Sequence, residues 1–123
     1  MILGTGVDII EVARVETAFE RFGKRFLERV LRPAEIEYCL SHKVPGPFLA
    51  ARFAAKEAVL KALGTGLRDG IKWKDIEVIN DKLGKPCFRF YDQCAETTAG
   101  SNVLLSISHT AHTAAAFVVI DSD

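Results

Sequence analysis

The sequence has no excess of either charge: 16 lysines and arginines stand against 16 aspartates and glutamates in 123 residues, with a pI near 6.8. That balance excludes a protein that gathers nucleic acid or anionic lipid by its overall field, so any anionic partner must be met by a local patch. Cysteine is scarce and odd in number. Cys39, Cys87 and Cys94 lack the close spacing of a metal site and cannot form a closed disulfide framework, so they read as reduced thiols of a reducing compartment. No apolar run approaches the roughly 20 residues of a membrane-spanning helix. The amino terminus, MILGTGVDII, has no basic stretch and places Asp8 where a secretion signal needs apolar side chains. Internal repeats, low-complexity segments and linker-like stretches are also missing. The expectation is one soluble, cytoplasmic domain over residues 1–123 that buries about two-thirds of the surface its unfolded form exposes, without nucleic acid or membrane as partner.

What is present alternates between two periods. Ile2 to Ile10 is apolar and β-branched around Gly4 and Gly6, which predicts a strand ending near Asp8. From Glu11 to Leu31 the period becomes helical, with Val15, Phe19, Phe22 and Phe26 on one stripe and Gly23 a weak point of about 1 kcal/mol. Pro33 suits the first turn of a second helix, PAEIEYCL, which stops before a loop over Lys43–Pro47. A third helix is expected from about Phe48 to Leu63, capped by Gly64. IEVIN and CFRFY flank the turn DKLGKP and predict a hairpin, residues 91–98 a short helix, and VLLSISH with AAAFVVI a second hairpin. The fold class is α+β, helices segregated against a mostly antiparallel sheet.

The third helix contains the stretch FAAKEAVLKALGTG, residues 53–66. It is apolar or small nearly all round, the mark of a buried helix, yet Lys56, Glu57 and Lys61 lie within it. Glu57 and Lys61, four positions apart, fit either a surface ion pair worth a few tenths of a kcal/mol or the polar centre of a site. Asp8 is a second isolated acid among apolar residues. It fits an N-cap for the first helix, or a carboxylate that needs a cation. One aspartate and one glutamate are a natural pair for Mg²⁺, which completes its shell with waters and substrate phosphates.

Three further features stand beside these. Gly64-Thr65-Gly66 fits a turn or a close backbone approach to a ligand. His109 shares the strand parity of Val103, Leu105 and Ile107 and fits a satisfied core histidine or a phosphate donor. Arg14, Arg21 and Arg25 fall within about 40° of one another on a helical wheel, beside the phenylalanine stripe. Such a row is a solvated face, or a docking surface for an acidic, amphipathic helix.

Taken in order, GTGVDI at 4–9, RFAAKEAVLKALGTG at 52–66, GKP at 84–86 and SISHT at 106–110 span nearly the whole chain. The set resembles the holo-[acyl-carrier-protein] synthase family, the small-subunit 4′-phosphopantetheinyl transferases. The resemblance implies the 4′-phosphopantetheinyl transferase fold and transfer of 4′-phosphopantetheine from coenzyme A to a serine of apo-acyl carrier protein, for fatty acid biosynthesis, releasing adenosine 3′,5′-bisphosphate. It implies that Asp8 and Glu57 hold Mg²⁺ with the pyrophosphate, that Lys61 contacts phosphate, and that Arg52 and His109 hold the 3′-phosphate. Gly64, Thr65, Pro86 and Thr110 fall on coenzyme A-binding positions. The family also implies a homotrimer with coenzyme A at subunit boundaries, and a carrier helix docked on Arg14, Arg21, Phe22 and Arg25. The base is expected to be Glu57, directly or through a metal-bound water.

Two rivals remain at this level. One is a trimeric coenzyme A binder without turnover, which would not need the two acids. The other is a Mg²⁺-dependent nucleotide-processing enzyme without a protein partner, which would not need the arginine row.

Overall fold

The computed structural model describes residues 1–122. In chain order the elements are β1 (Ile2–Glu11), α1 (Val12–Phe22), α2 (Lys24–Val30), α3 (Pro33–Leu40), α4 (Gly46–Leu63), β2 (Ile76–Asn80), β3 (Pro86–Phe90), α5 (Asp92–Thr98), β4 (Ser101–His109) and β5 (Thr113–Ser122), with a 3₁₀ turn at Trp73–Asp75 before β2. β1, β5 and β4 form an antiparallel sheet in that order, and β2 pairs with β3 as a separate antiparallel hairpin. The class is α+β, as the sequence predicts.

α4 is the axis of the molecule. Leu49, Ala50, Ala54, Ala55, Ala58 and Val59 along it are fully buried, and two apolar clusters form on its flanks, both touched by Ile10 and Ile107. Its alanines and the glycines of β1 let backbone meet backbone. A Cβ on Gly4 would overlap the Ala62 carbonyl, and one on Gly6 the Ala58 carbonyl. The glycines are therefore what allows α4 to lie on β1, and they set the distance between Asp8 and α4.

Three expectations need correction. β1 does not end near Asp8; it stays paired with β5 through Asp8↔Ala116, Ile9↔Ala115, Ile10↔Ala114 and Glu11↔Thr113, because the β-branched run continues opposite an alanine run. The single helix over 11–31 is two. Gly23, at φ 67° and ψ −156°, leaves helical space, its N–H closing α1 on Phe19 and its carbonyl receiving the Phe26 N–H that opens α2. The stripe breaks accordingly: Val15 is buried, Phe19 and Phe26 are half-buried, and Phe22 is 58% exposed. α4 starts earlier than Phe48, since the Pro45 carbonyl already accepts the N–H groups of Phe48 and Leu49.

The sheet face turned away from α4 is apolar and open. Leu3, Val7 and Ile9 on β1, Phe117 on β5 and Leu104 on β4 are all exposed there, with Val7 directly opposite Phe117. Among the described residues no helix is long and apolar enough to cross a membrane.

Candidate functional site

Strand parity puts Asp8 on the face of Gly4 and Gly6, under α4. Lys61, one turn beyond Glu57 on α4, reaches across: its Nζ lies 2.9 Å from Asp8 Oδ1 and donates to the Val7 carbonyl at 3.1 Å. The i, i+4 pair of Glu57 with Lys61 is thus replaced, among the described residues, by a Lys61–Asp8 pair 53 positions apart. Asp8 caps nothing; the N-cap of α1 is Glu11, without a side-chain cap bond. Glu57 is half-buried, and its pKa is raised, first by burial and then by the Asp8 carboxylate, with Lys61 opposing. The hydrogen bond to Asp8 raises Lys61 in turn.

Glu57 and Lys61 line a cavity of about 470 Å³, with Gly64 and Gly66 at the helix cap and Leu60, Leu67 and Trp73 as its apolar wall. Gly64 ends α4 at φ 78°. The Thr65 hydroxyl donates to the Gly66 carbonyl at 3.1 Å. Among the described residues no cluster of three or more His, Cys, Asp or Glu side chains gathers.

The other charges of α4 do different work. Lys56 is fully buried, its ammonium 2.7 Å from Glu35 Oε1 and 2.6 Å from the Val30 carbonyl. Glu35 also accepts the N–H groups of Arg32, at 2.8 Å, and Val78, at 2.9 Å, so the pair is hydrogen-bonded all round. Burial lowers the Lys56 pKa and Glu35 opposes the shift. The sequence leaves Glu35 unmarked, since at the third position of a helix it reads as an ordinary capping residue.

Arg52 precedes Lys61 by nine residues, about 13 Å along α4 and about 180° around it, so it faces a second cavity on the opposite side. This cavity, of about 170 Å³, brings Arg52, Pro86 and His109 together with Tyr38, Phe48 and Asn80. Arg52 is 5% exposed; it donates to Asn80 Oδ1 at 3.2 Å, and its guanidinium carbon stands 4.3 Å over the Tyr38 ring. His109 is exposed at the end of β4, its ring 5.0 Å from Phe48 and edge-on, which removes the core-histidine alternative. Phe48 in turn stacks on His42, whose Nδ1 lies 2.9 Å from the Tyr38 carbonyl oxygen. Thr110 follows His109, and its hydroxyl accepts the N–H groups of His112 and Thr113 to close the β4–β5 turn. Asn80, Tyr38 and Phe48 carry no sequence signal of a site; only folding brings them to Arg52.

The arginines lie on α1 and α2. A groove of about 410 Å³ runs past Arg14, Arg21 and Phe22, and one of about 460 Å³ past Arg21, Phe22, Arg25, Phe26 and Arg29. The bend at Gly23 takes Arg25 off the wheel of Arg14, but Arg21 and Phe22 border both grooves and keep the surface continuous. The Arg21 guanidinium sits 5.3 Å from the centre of the Phe22 ring.

A sequence model of the 4′-phosphopantetheinyl transferase superfamily matches residues 4–118. The chain belongs to that superfamily. A holo-[acyl-carrier-protein] synthase of Geobacter sp. (strain M21) is 50% identical to it over 98% of this chain and 99% of the relative. Two solved structures share the fold. The holo-(acyl-carrier-protein) synthase of Bacillus anthracis str. Ames, in complex with CoA (3′,5′-ADP), superposes with TM-score 0.85 at 40% identity, covering 100% of this chain and 99% of the other. That of Neisseria meningitidis gives TM-score 0.88 at 38% identity, over 99% and 100%. The resemblance drawn from the motifs is therefore one of family as well as of pattern.

Proposed function

We propose that the chain transfers 4′-phosphopantetheine from coenzyme A to a serine of apo-acyl carrier protein, in a site of two halves contributed by neighbouring copies of a homotrimer. The observation that carries the proposal is that Lys61 of α4 closes on Asp8 of β1, 53 residues away in sequence, where Glu57 and Lys61 line an open cavity. These three are the pyrophosphate half. Arg52, His109 and Pro86, with Thr110 adjoining, are the nucleotide half, gathered at the cavity that Arg52 faces on the other side of α4. One copy therefore presents the two halves on opposite sides, and a ligand that needs both lies where copies meet. The open apolar sheet face of Leu3, Val7, Ile9, Leu104 and Phe117 suits the packing of such copies.

The donor set suits Mg²⁺. Two hard carboxylate oxygens with room for waters and phosphates are what the ion takes, and the charge of Asp8 already raises the Glu57 pKa, a repulsion that a cation relieves. Asp8 and Glu57 would hold the ion, and its positive charge would neutralise the pyrophosphate. Lys61 binds a phosphate oxygen, and Gly64 and Thr65 present backbone at the cavity rim. The serine oxygen forms its bond to the phosphorus that bears pantetheine, the bridging P–O bond breaks, and adenosine 3′,5′-bisphosphate leaves with the electron pair. Glu57, whose pKa burial raises, receives the serine proton. Positioning and charge neutralisation supply most of what such a transfer needs.

Arg14, Arg21, Phe22 and Arg25 dock the acidic helix of the carrier, with Arg29 extending the surface. The chain works as one domain in the cytoplasm, in keeping with three free cysteines. The test is the intact mass of an apo-acyl carrier protein incubated with the chain, coenzyme A and Mg²⁺. One added phosphopantetheine unit, absent with EDTA or with Glu57→Ala, is the expected result; an unmodified carrier overturns the proposal, and full turnover by Glu57→Gln with metal bound removes the base.

A further inference from the structure

Arg52 is an uncommon cation. It is 5% exposed, yet among the described residues no carboxylate lies within ion-pair distance of it. A buried charge is ordinarily paired, because desolvating it alone is expensive. Here both neighbours are neutral. Asn80 Oδ1 accepts one N–H at 3.2 Å, the Tyr38 ring lies under the guanidinium at 4.3 Å, and Nε is buried with no partner. An amide oxygen and a π face attract the guanidinium and fix its plane without cancelling its charge. Asn80 does this from the last position of β2, opposite Pro86, and is itself exposed at the mouth of the cavity. The arrangement leaves a held, desolvated and undischarged fork with a donor to spare, which suits the oxygens of a phosphate monoester.

We propose that Asn80 and Tyr38 are specificity-determining positioning residues. They keep Arg52 oriented and undischarged so that the enzyme selects a donor whose nucleotide carries a terminal phosphate monoester, coenzyme A, over the same donor without it, 3′-dephospho-coenzyme A. The inference rests on the assignment of the Arg52 cavity to the nucleotide end of coenzyme A. The side chain at position 80 separates holding from charge. Aspartate has the shape of asparagine and would hold Arg52 at least as firmly, but it would neutralise the guanidinium and repel the phosphate.

The experiment compares kcat/KM for coenzyme A and for 3′-dephospho-coenzyme A, at saturating carrier, in the wild type and in Asn80→Asp, Asn80→Ala, Tyr38→Leu and Arg52→Gln, with melting temperatures alongside. The wild type is expected to prefer coenzyme A. Asn80→Asp should melt no lower than the wild type and lose that preference by roughly tenfold or more, chiefly through the KM for coenzyme A, the worth of one charge-assisted contact. Asn80→Ala and Tyr38→Leu should fall between the two, and they carry the test should Asn80→Asp fail to fold. If the position 80 and 38 variants keep the wild-type preference while Arg52→Gln loses it, the proposal is wrong and the nucleotide assignment stands. If Arg52→Gln also keeps it, or the wild type shows no preference, both fall together.

Discussion

Replacing Lys56 by methionine removes the side-chain cation that, among the described residues, pairs with buried Glu35. Met fills much of the same volume, so the loss is electrostatic and not a cavity. Glu35 keeps the Arg32 and Val78 N–H groups but loses the 2.7 Å ammonium, and the Val30 carbonyl loses its 2.6 Å donor. Breaking a buried pair from one side costs about 3–5 kcal/mol, which for a chain of this size lowers the melting temperature by roughly 12–20 °C. Lys56→Met with Glu35→Gln removes both charges, and the glutamine oxygen still accepts one of the two N–H groups, so the double variant should lose only about 1–3 kcal/mol. Urea denaturation of the four corners of the cycle measures this. If the double variant is as unstable as the sum of the singles, the pair is not the isolated buried charge pair described above.

Other consequences are separate. Gly6→Ala should cost about 3 kcal/mol and impair transfer in the protein that still folds, because the new Cβ meets backbone atoms of α4 that cannot swing aside, moving Glu57 from Asp8; chemical denaturation and the carrier mass assay check it. Burial pushes the Cys39 and Cys94 thiols up to about 11 from 9.0, so iodoacetamide at pH 8 should label half-buried Cys87 first, as read by mass. Because those two folded pKa values lie above the unfolded one, the stability they contribute is complete below pH 9 and is lost as pH rises to 11, which alkaline melting curves follow. Arg14→Glu with Arg21→Glu should raise KM for the carrier at least about tenfold with a smaller change in kcat, and should flatten its salt dependence; steady-state kinetics at two ionic strengths decide.

Periodicity made most elements legible, since the strands and α4 bury continuous apolar faces that leave a period of two or a wholly apolar run. It misjudged the stretch around Gly23, where a helical pattern continues on both sides of a residue whose backbone turns out of the helix. It also ended β1 too soon at Asp8, because an acid in a strand looks like a boundary when its partner strand is unseen. The grouping of Asp8, Glu57 and Lys61 was legible in the isolated acids of GTGVDI and FAAKEA, whose positions the fold brings together. Glu35, Asn80 and Tyr38 were not. Each is an ordinary helix or strand-end residue in sequence and acquires its role from what the fold lays against it, at Lys56 and at Arg52.

The central claim is that one site is assembled from the pyrophosphate half of one copy and the nucleotide half of another. Glu57→Ala damages only the first half, and Arg52→Ala combined with His109→Ala only the second. Each protein alone should transfer poorly. Unfolded together and refolded as mixed assemblies, they contain boundaries where an intact half of one meets an intact half of the other. Carrier mass spectrometry should then show transfer restored well above the sum of the two separately refolded proteins, whereas a mixture no more active than that sum contradicts the shared site.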